Sequence, residues 1–367
     1  MADVGAMTNE AVHDFRSYVH SDCGGHGSCA SIDPPRIPGQ PPPPPPENKA
    51  CESPTDQALL RWTAHCVFGT MVRFHQGDHR FWLRDETTQT SARDYLNMRY
   101  KLAPSLIAAG RTVQHAGFPL TARCDMVWPE HPEANDVTQY LHLNTTLIAP
   151  LEGDPADREN PVLPASRSVW IPPGEWQDGW TGESVMGPKT VHITPTESAG
   201  KFHIPMWHKK GGLVVAVQEG EMRINDQDWS ELVIEAFPSA EASKEHREIY
   251  EQDSSTRGDE ASTTVELRTD GAGKLWVGVS ASVEARSWVV RVHLRPGERL
   301  ALSDEELLAS GGVGSVRHLE PHRSCDDDSF FPFKGVGAAP ACGAGPIAEF
   351  RLASSTEARH VEATIAA

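Results

Sequence analysis

The densest group of chemically capable side chains lies near the N-terminus, in His20-Ser21-Asp22-Cys23-Gly24-Gly25-His26-Gly27-Ser28-Cys29. His20, Cys23, His26 and Cys29 recur every third residue and are ligand types suited to zinc. Four ligands packed so tightly lack the longer loop that normally separates two pairs, so a tetrahedral site is the lesser reading. Asp22 beside Gly24-Gly25 reads in isolation as a turn or capping aspartate. A second group follows in Arg73-Phe74-His75, where the histidine on its own reads as structural. Asn144-Thr145-Thr146 is a glycosylation acceptor, usable only in a secretory compartment.

The elements that must position these groups can be read from pattern. Thr55 or Asp56 can cap a helix whose buried face is Leu59, Leu60, Trp62, Cys66 and Val67. Ser91 with Asp94 resembles a capping box for a second helix, with Tyr95, Leu96, Leu102, Leu106 and Ile107 as its stripe. Pro104 predicts a kink there, and Gly117 a stop. Between the two helices, residues 69–74 read as a short strand. From about residue 118 the texture changes to short apolar runs punctuated by turns, among them LHLNTTLIAP, RSVWIPPGEW, GLVVAVQ, SELVIEAF, STTVELRT, KLWVGVSA and SWVVRVHL. This spacing predicts antiparallel sandwich domains. Residues 31–55, with six consecutive prolines from Pro41 to Pro46, predict an extended, semi-rigid insertion, and the acidic, Gly-rich stretch 303–345 predicts long loops.

Composition narrows the class of partner. With 51 acidic and 33 basic residues the chain carries a net charge of -18, the wrong sign for nucleic acid or an anionic membrane. No run is long and apolar enough to span a bilayer, and the first fifteen residues show no secretory signal, so the compartment stays open. Seven cysteines at irregular spacing do not describe a disulfide framework. A neutral polar ligand is the partner that fits, and the ten tryptophans are mainly core residues.

Taken in order, the motifs resemble glycoside hydrolase family 31. His20-Ser21-Asp22-Cys23-Gly24-Gly25-His26 is similar to that family's Asp-x-x-Gly strand end, and Leu60-Arg61-Trp62 to the helix after it. Arg73-Phe74-His75 matches its Arg-x-His, and Arg99-Tyr100-Lys101-Leu102-Ala103-Pro104 its Arg-Tyr-x-Leu-x-Pro helix. Gly117 to Arg123, Leu147 to Pro150, Val169 to Trp176 and Tyr250-Glu251-Gln252-Asp253 continue the series, which fades beyond residue 255.

The resemblance implies a fold of α/β plus all-β type. It comprises a partial (β/α)8 barrel, contributing its last two βα units, followed by two β-sandwich domains. The implied divisions are 1–30 for the seventh barrel strand, 31–55 for the proline-rich insertion and 56–118 for the remaining barrel units. Residues 119–218 form the proximal sandwich and 219–367 the distal one. It also implies a retaining α-glucosidase-like activity with no cofactor, acting on an α-glucoside.

Retaining hydrolysis needs two carboxylates about 5–5.5 Å apart, one attacking the anomeric carbon and the other protonating the leaving oxygen. In the family both are aspartates before the seventh strand, and neither motif occurs in this sequence. Asp125-Met126 and Gly77-Asp78-His79 mimic them but fall out of order. What the resemblance leaves is substrate binding. Asp22 accepts sugar hydroxyls, His75 donates to a neighbouring hydroxyl, and Arg73 holds a charge partner near the carboxylates. His26 stands where the family usually has an aromatic plate. Two βα units cannot close a barrel, so residues 15–118 are expected to need a missing N-terminal barrel half, as in a truncated gene product.

Overall fold

The computed structural model describes residues 22–23, 55–74, 81–151, 166–194, 197–198, 201–218, 223–250, 262–282, 284–302, 316–319 and 346–366. The first elements are a two-residue strand β1 (Asp22–Cys23), helix α1 (Asp56–Val67) and strand β2 (Arg73–Phe74). Thr55 caps α1 by accepting from the Ala58 amide at 3.2 Å, and Asp56 adds a negative charge in the first turn, where the helix dipole favours it. β1 and β2 pair in parallel, a connection that needs a crossover element, and α1 lies between them in sequence.

Helix α2 (Glu86–Lys101) starts five residues before the capping box read at Ser91. Asp85 is the cap, its carboxylate accepting from the Thr88 amide at 2.7 Å, while Ser91 lies buried inside the helix. An ionised oxygen followed by Glu86 in the first turn makes a better helix start than a serine with an aspartate three residues on. Pro104 does not kink a continuous helix. α2 ends at Lys101 and α3 (Ala103–Ala116) begins with Pro104 in its first turn, where a missing N–H removes no helical bond. Gly117 closes α3 in the left-handed conformation, φ 71°, donating to the Val113 carbonyl at 2.9 Å.

Beyond α3 the described chain is almost entirely sheet. Strands β3 (Thr121–Arg123), β4 (Tyr140–His142), β5 (Thr146–Ile148), β6 (Arg167–Asp178), β7 (Ser184–Ile193) and β10 (Met206–Lys209) form an antiparallel sheet ordered β3-β4-β5-β10-β6-β7. β8 (Glu197–Ser198) and β9 (Lys201–Phe202) make a small separate hairpin. The β4–β5 connection is three residues, 143–145, of which Leu143 (φ 55°) and Asn144 (φ 58°) are left-handed, and the Thr145 amide donates to the His142 carbonyl at 3.3 Å.

A second sheet is ordered β11-β12-β16-β19-β18, built from β11 (Gly212–Val217), β12 (Glu231–Phe237), β16 (Arg286–His293), β19 (Ile347–Ser355) and β18 (Arg317–Leu319), with β12 and β16 parallel. The third, fully antiparallel, is ordered β13-β14-β15-β20-β17: β13 (Ala242–Tyr250), β14 (Ser262–Asp270), β15 (Lys274–Val279), β20 (Arg359–Ala366) and β17 (Arg299–Leu302).

Among the described residues three cores hold these layers. The two five-stranded sheets share one, in which Ile234, Val290 and Phe350 meet Leu267, Val277 and Val361. The six-stranded sheet sends alternate residues to opposite faces. Tyr140, Ile148 and Met206 pack against Ala64, Phe68, Tyr95 and Met98 of the helical segment, while Leu141, Leu147 and Trp207 join Trp170 and Trp176 on the other side. Polar ties reinforce the helix–sheet contact. Ser105 on α3 donates to the Val215 carbonyl at 2.7 Å and accepts from its amide at 2.9 Å, and the Tyr95 hydroxyl accepts from the Ile204 amide at 3.0 Å. Among the described residues no helix is long and apolar enough to cross a membrane.

Candidate functional site

β1 and β2 bring Asp22 and Arg73 into register as neighbours on adjacent parallel strands, with Cys23 opposite Phe74. Two of the four residues expected to bind substrate are thereby placed side by side, and Arg73 is exposed. The other two, His26 and His75, lie outside the described residues, as do His20, Cys29 and Asp78.

Two devices fix where these strands sit. Cys23 is fully buried and disulfide-bonded to Cys66 in the last turn of α1, with Cα atoms 6.3 Å apart. That bond withdraws Cys23 from the zinc quartet, since a sulfur in a disulfide is no thiolate ligand. Among the described residues no cluster of three metal-binding side chains occurs. The partners are 43 residues apart in an odd-numbered cysteine set, so spacing gave no sign of the pairing. The second device is Arg99 on α2. Its Nη1 donates to the carbonyls of Val67, at 3.1 Å, and Gly69, and its Nη2 to that of Thr70 at 2.7 Å. One guanidinium thus gathers the turn that delivers the chain from α1 into β2. Burial holds its pKa down at about 10, still fully charged at neutral pH. In the sequence Arg99 stands out only as the first residue of the Arg-Tyr-x-Leu-x-Pro motif. Both strands are therefore anchored at one knot, the C-terminal end of α1, β1 through Cys66 and β2 through Val67 to Thr70.

Behind the knot the sheet carries a row of polar residues in register. Thr121, His142, Thr146, His208, Gln177 and Ser184 are successive neighbours across all six strands. His142 stands edge-on to Phe68 at 5.3 Å, and burial, with Arg99 nearby, presses its pKa down to about 3. His208 meets the Thr146 hydroxyl through Nδ1 at 3.1 Å and is likewise lowered to about 3, by burial and then by His293 and Lys210. His65 on α1 lies 3.3 Å from the Tyr140 hydroxyl through Nδ1, lowered to about 4 by burial. These imidazoles are neutral structural groups, His65 and His142 between helix and sheet and His208 stacked on Phe237 of β12 at 4.3 Å.

The carboxylates elsewhere are held by partners too. Asp125 lies in the 3₁₀ turn after β3, where Arg123 grips it through Nε at 3.0 Å and a second nitrogen. Glu235 is buried with Arg291 at 3.2 Å and His293 at 2.7 Å, and Arg291 reaches Glu349 at 3.0 Å, which ties β12, β16 and β19 together. Burial pushes the Glu235 pKa up, but Arg291 and His293 outweigh it and hold the carboxyl below its usual range.

Residues 7–109 match the family model of the glycosyl hydrolases family 31 TIM-barrel domain. The resemblance is to glycoside hydrolase family 31. The segment matched spans β1, α1, β2 and α2, and so contains Asp22, Arg73 and Arg99. Among relatives, a 1,6-alpha-glucosyltransferase of Sporosarcina globispora is 19% identical over 254 residues, 66% of this chain and 19% of its own length. A probable alpha/beta-glucosidase of Arthroderma benhamiae is 25% identical over 168 residues, 45% of this chain and 18% of its own. In structure, the family 31 dextranase FjDex31A of Flavobacterium johnsoniae, solved with glucose, superposes with a TM-score of 0.60 at 16% identity, over 84% of this chain and 37% of that one. The cycloalternan-forming enzyme of Listeria monocytogenes, solved with a pentasaccharide substrate, gives 0.58 at 17%, over 85% and 28%. At such identities the structural likeness is one of fold. The chain spans less than a fifth of these curated relatives.

Proposed function

We propose that this chain forms the substrate-holding side of a retaining family 31 glycoside hydrolase acting on α-glucosidic bonds. β1, α1, β2 and the helices to residue 118 are then its last two barrel units, interrupted by the 31–55 insertion. The six-stranded sheet is the body of a proximal sandwich over 119–218, and the two five-stranded sheets that of a distal one over 219–367. Asp22 accepts hydroxyls of the ring in the cleavage subsite, His75 donates to the next hydroxyl, His26 offers a flat polar edge and Arg73 balances nearby negative charge. Such charged hydrogen bonds contribute about 1.5–3 kcal/mol each and orient the ring for attack.

The observation that carries the reading is the register pairing of Asp22 with Arg73 on parallel strands inside the segment that the family 31 barrel model matches. Nucleophile and acid come from an upstream polypeptide, which attacks the anomeric carbon and protonates the departing oxygen. The glycosyl–enzyme bond is then released to water, or to a second sugar as in a transferase. No cofactor enters this chemistry. In the test, the isolated chain releases no nitrophenol from an aryl α-glucoside, and adding a polypeptide that carries both aspartate motifs restores release, which Asp22→Asn then abolishes. Undiminished release with Asp22→Asn defeats the reading.

The absence of both carboxylate motifs favours one second reading, saccharide binding without cleavage. Saccharide affinity in the chain alone, with no gain of turnover in the presence of the upstream polypeptide, selects it.

A further inference from the structure

Away from the β1–β2 strand ends, a cavity of about 480 Å3 opens between α3, the β4–β5 turn and β13. Its volume falls within the ~300–1,000 Å3 range of small-molecule sites. Neither β1 nor β2 contributes to its lining. Three separate stretches of chain converge on it, and each brings a different kind of group.

One side is apolar and aromatic, with Phe118 just past the end of α3 and the buried Tyr250 on β13. The other presents Glu245, Arg247 and Glu248, and Asn144 stands at the exposed hairpin tip. These polar groups are held in place. Arg247 pairs with Glu245 at 3.2 Å and donates to the Leu143 carbonyl at 2.7 Å, which locks β13 to the hairpin. The Tyr250 hydroxyl donates to Glu248 Oε2 at 2.9 Å, and the guanidinium of Arg111 lies 5.5 Å from the Tyr250 ring centroid.

This arrangement selects by charge. Of the charged groups in the lining, Arg247 is paired with Glu245, so an anion meets the remaining carboxylate of Glu248 and is repelled, while Arg111, over the Tyr250 ring and outside the lining, weakens the pull on a cation. What remains for a ligand is a fixed set of carboxylate lone pairs, a primary amide that both donates and accepts, and flat apolar surface. A neutral molecule with hydroxyls on its edge and C–H groups on its face matches all three, since C–H groups pack on aromatic rings while hydroxyls bridge carboxylate and amide. We infer that this cavity is a saccharide-binding site, distinct from the strand ends and independent of whether those support cleavage.

The test is amide chemical-shift mapping of the intact chain titrated with isomaltotriose and, separately, maltotriose. Shifts at Thr112, His246 and Tyr250 are expected. Glu248→Gln, and Asn144→Gly, which keeps the positive-φ turn, should each weaken binding by about tenfold. Cavity resonances unmoved by either trisaccharide, or moved equally in both variants and wild type, overturn the inference. Shifts confined to Cys23 and Phe74 overturn it while supporting the proposed function. Shifts confined to the cavity uphold it, and the strand ends are then judged by the turnover assay with the upstream polypeptide.

Discussion

Acid should destabilise this protein through its buried imidazoles. His65 and His142 sit between the helical segment and the six-stranded sheet, and His208 between that sheet and Phe237 of β12, with pKa values of about 4, 3 and 3, lowered chiefly by burial from the 6.5 of the unfolded chain. Because the folded values are depressed, the unfolded state binds more protons below pH 6.5. The neutral ring's contribution is complete above that pH and is lost as pH falls toward 3–4. At about pH 5 each imidazole costs about 2 kcal/mol, from 1.36 kcal/mol per pH unit, and the three together about 6 kcal/mol. That is comparable with the whole stability of an ordinary domain, about 5–15 kcal/mol. The assay is urea unfolding followed by tryptophan fluorescence between about pH 7.5 and about pH 5, on wild type and His142→Phe. The variant loses some packing at every pH, but below pH 6.5 its free energy should gain on wild type by about 1.4 kcal/mol per pH unit. Parallel pH profiles for the two proteins would refute the claim that His142 is a neutral, buried group.

Three further outcomes are expected. Alkylation without reductant should leave Cys23 and Cys66 unlabelled by mass spectrometry, and replacing both with serine should lower stability by about 3–4 kcal/mol, the range for closing a loop of this length; labelling of both thiols in the native protein contradicts the pairing. Arg99→Lys puts one ammonium where a planar fork serves three carbonyls, so it should cost about 2–3 kcal/mol and speed amide exchange over residues 67–74, and unchanged exchange there argues against the clamp. Glu235→Gln takes the carboxylate from His293 and leaves Arg291 with Glu349 alone, at an expected cost of about 3 kcal/mol, whereas replacing Glu235, Arg291 and Glu349 together by apolar residues should cost less; a thermal midpoint unaffected by the single change sinks that account.

Local signals were legible in the sequence, and long-range ones were not. Thr55 and Gly117 mark helix ends because a cap oxygen and a left-handed residue act within one turn of chain. The same locality misled at Ser91, where a plausible box stood inside a helix already started by Asp85. Interior strands such as β12, β15 and β16 announce themselves as apolar runs. β7 and β13 do not, since each is an edge strand with a largely solvated face and a charged or polar sequence. The parallel pairing of β12 with β16, the Cys23–Cys66 bond and the Arg99 clamp join residues tens of positions apart, and no periodicity encodes such partners. Asp22 and Arg73 became candidates through family motifs, because nothing in the types or spacing of those two residues sets them apart from a turn aspartate and a surface arginine.

The two hydrogen bonds between Ser105 and Val215, with Ala103 and Ala108 inside the core of the five-stranded sheets, mean that α3 is seated by residues a hundred positions downstream. Tyr95 on α2 and Phe68 at the end of α1 are seated likewise by the six-stranded sheet. Exchange of C-terminal regions between related chains therefore has its workable seam ahead of Thr55. A graft joined at Gly117 would bring foreign sheets to helices shaped for these ones, and would loosen the turn from which β2 departs.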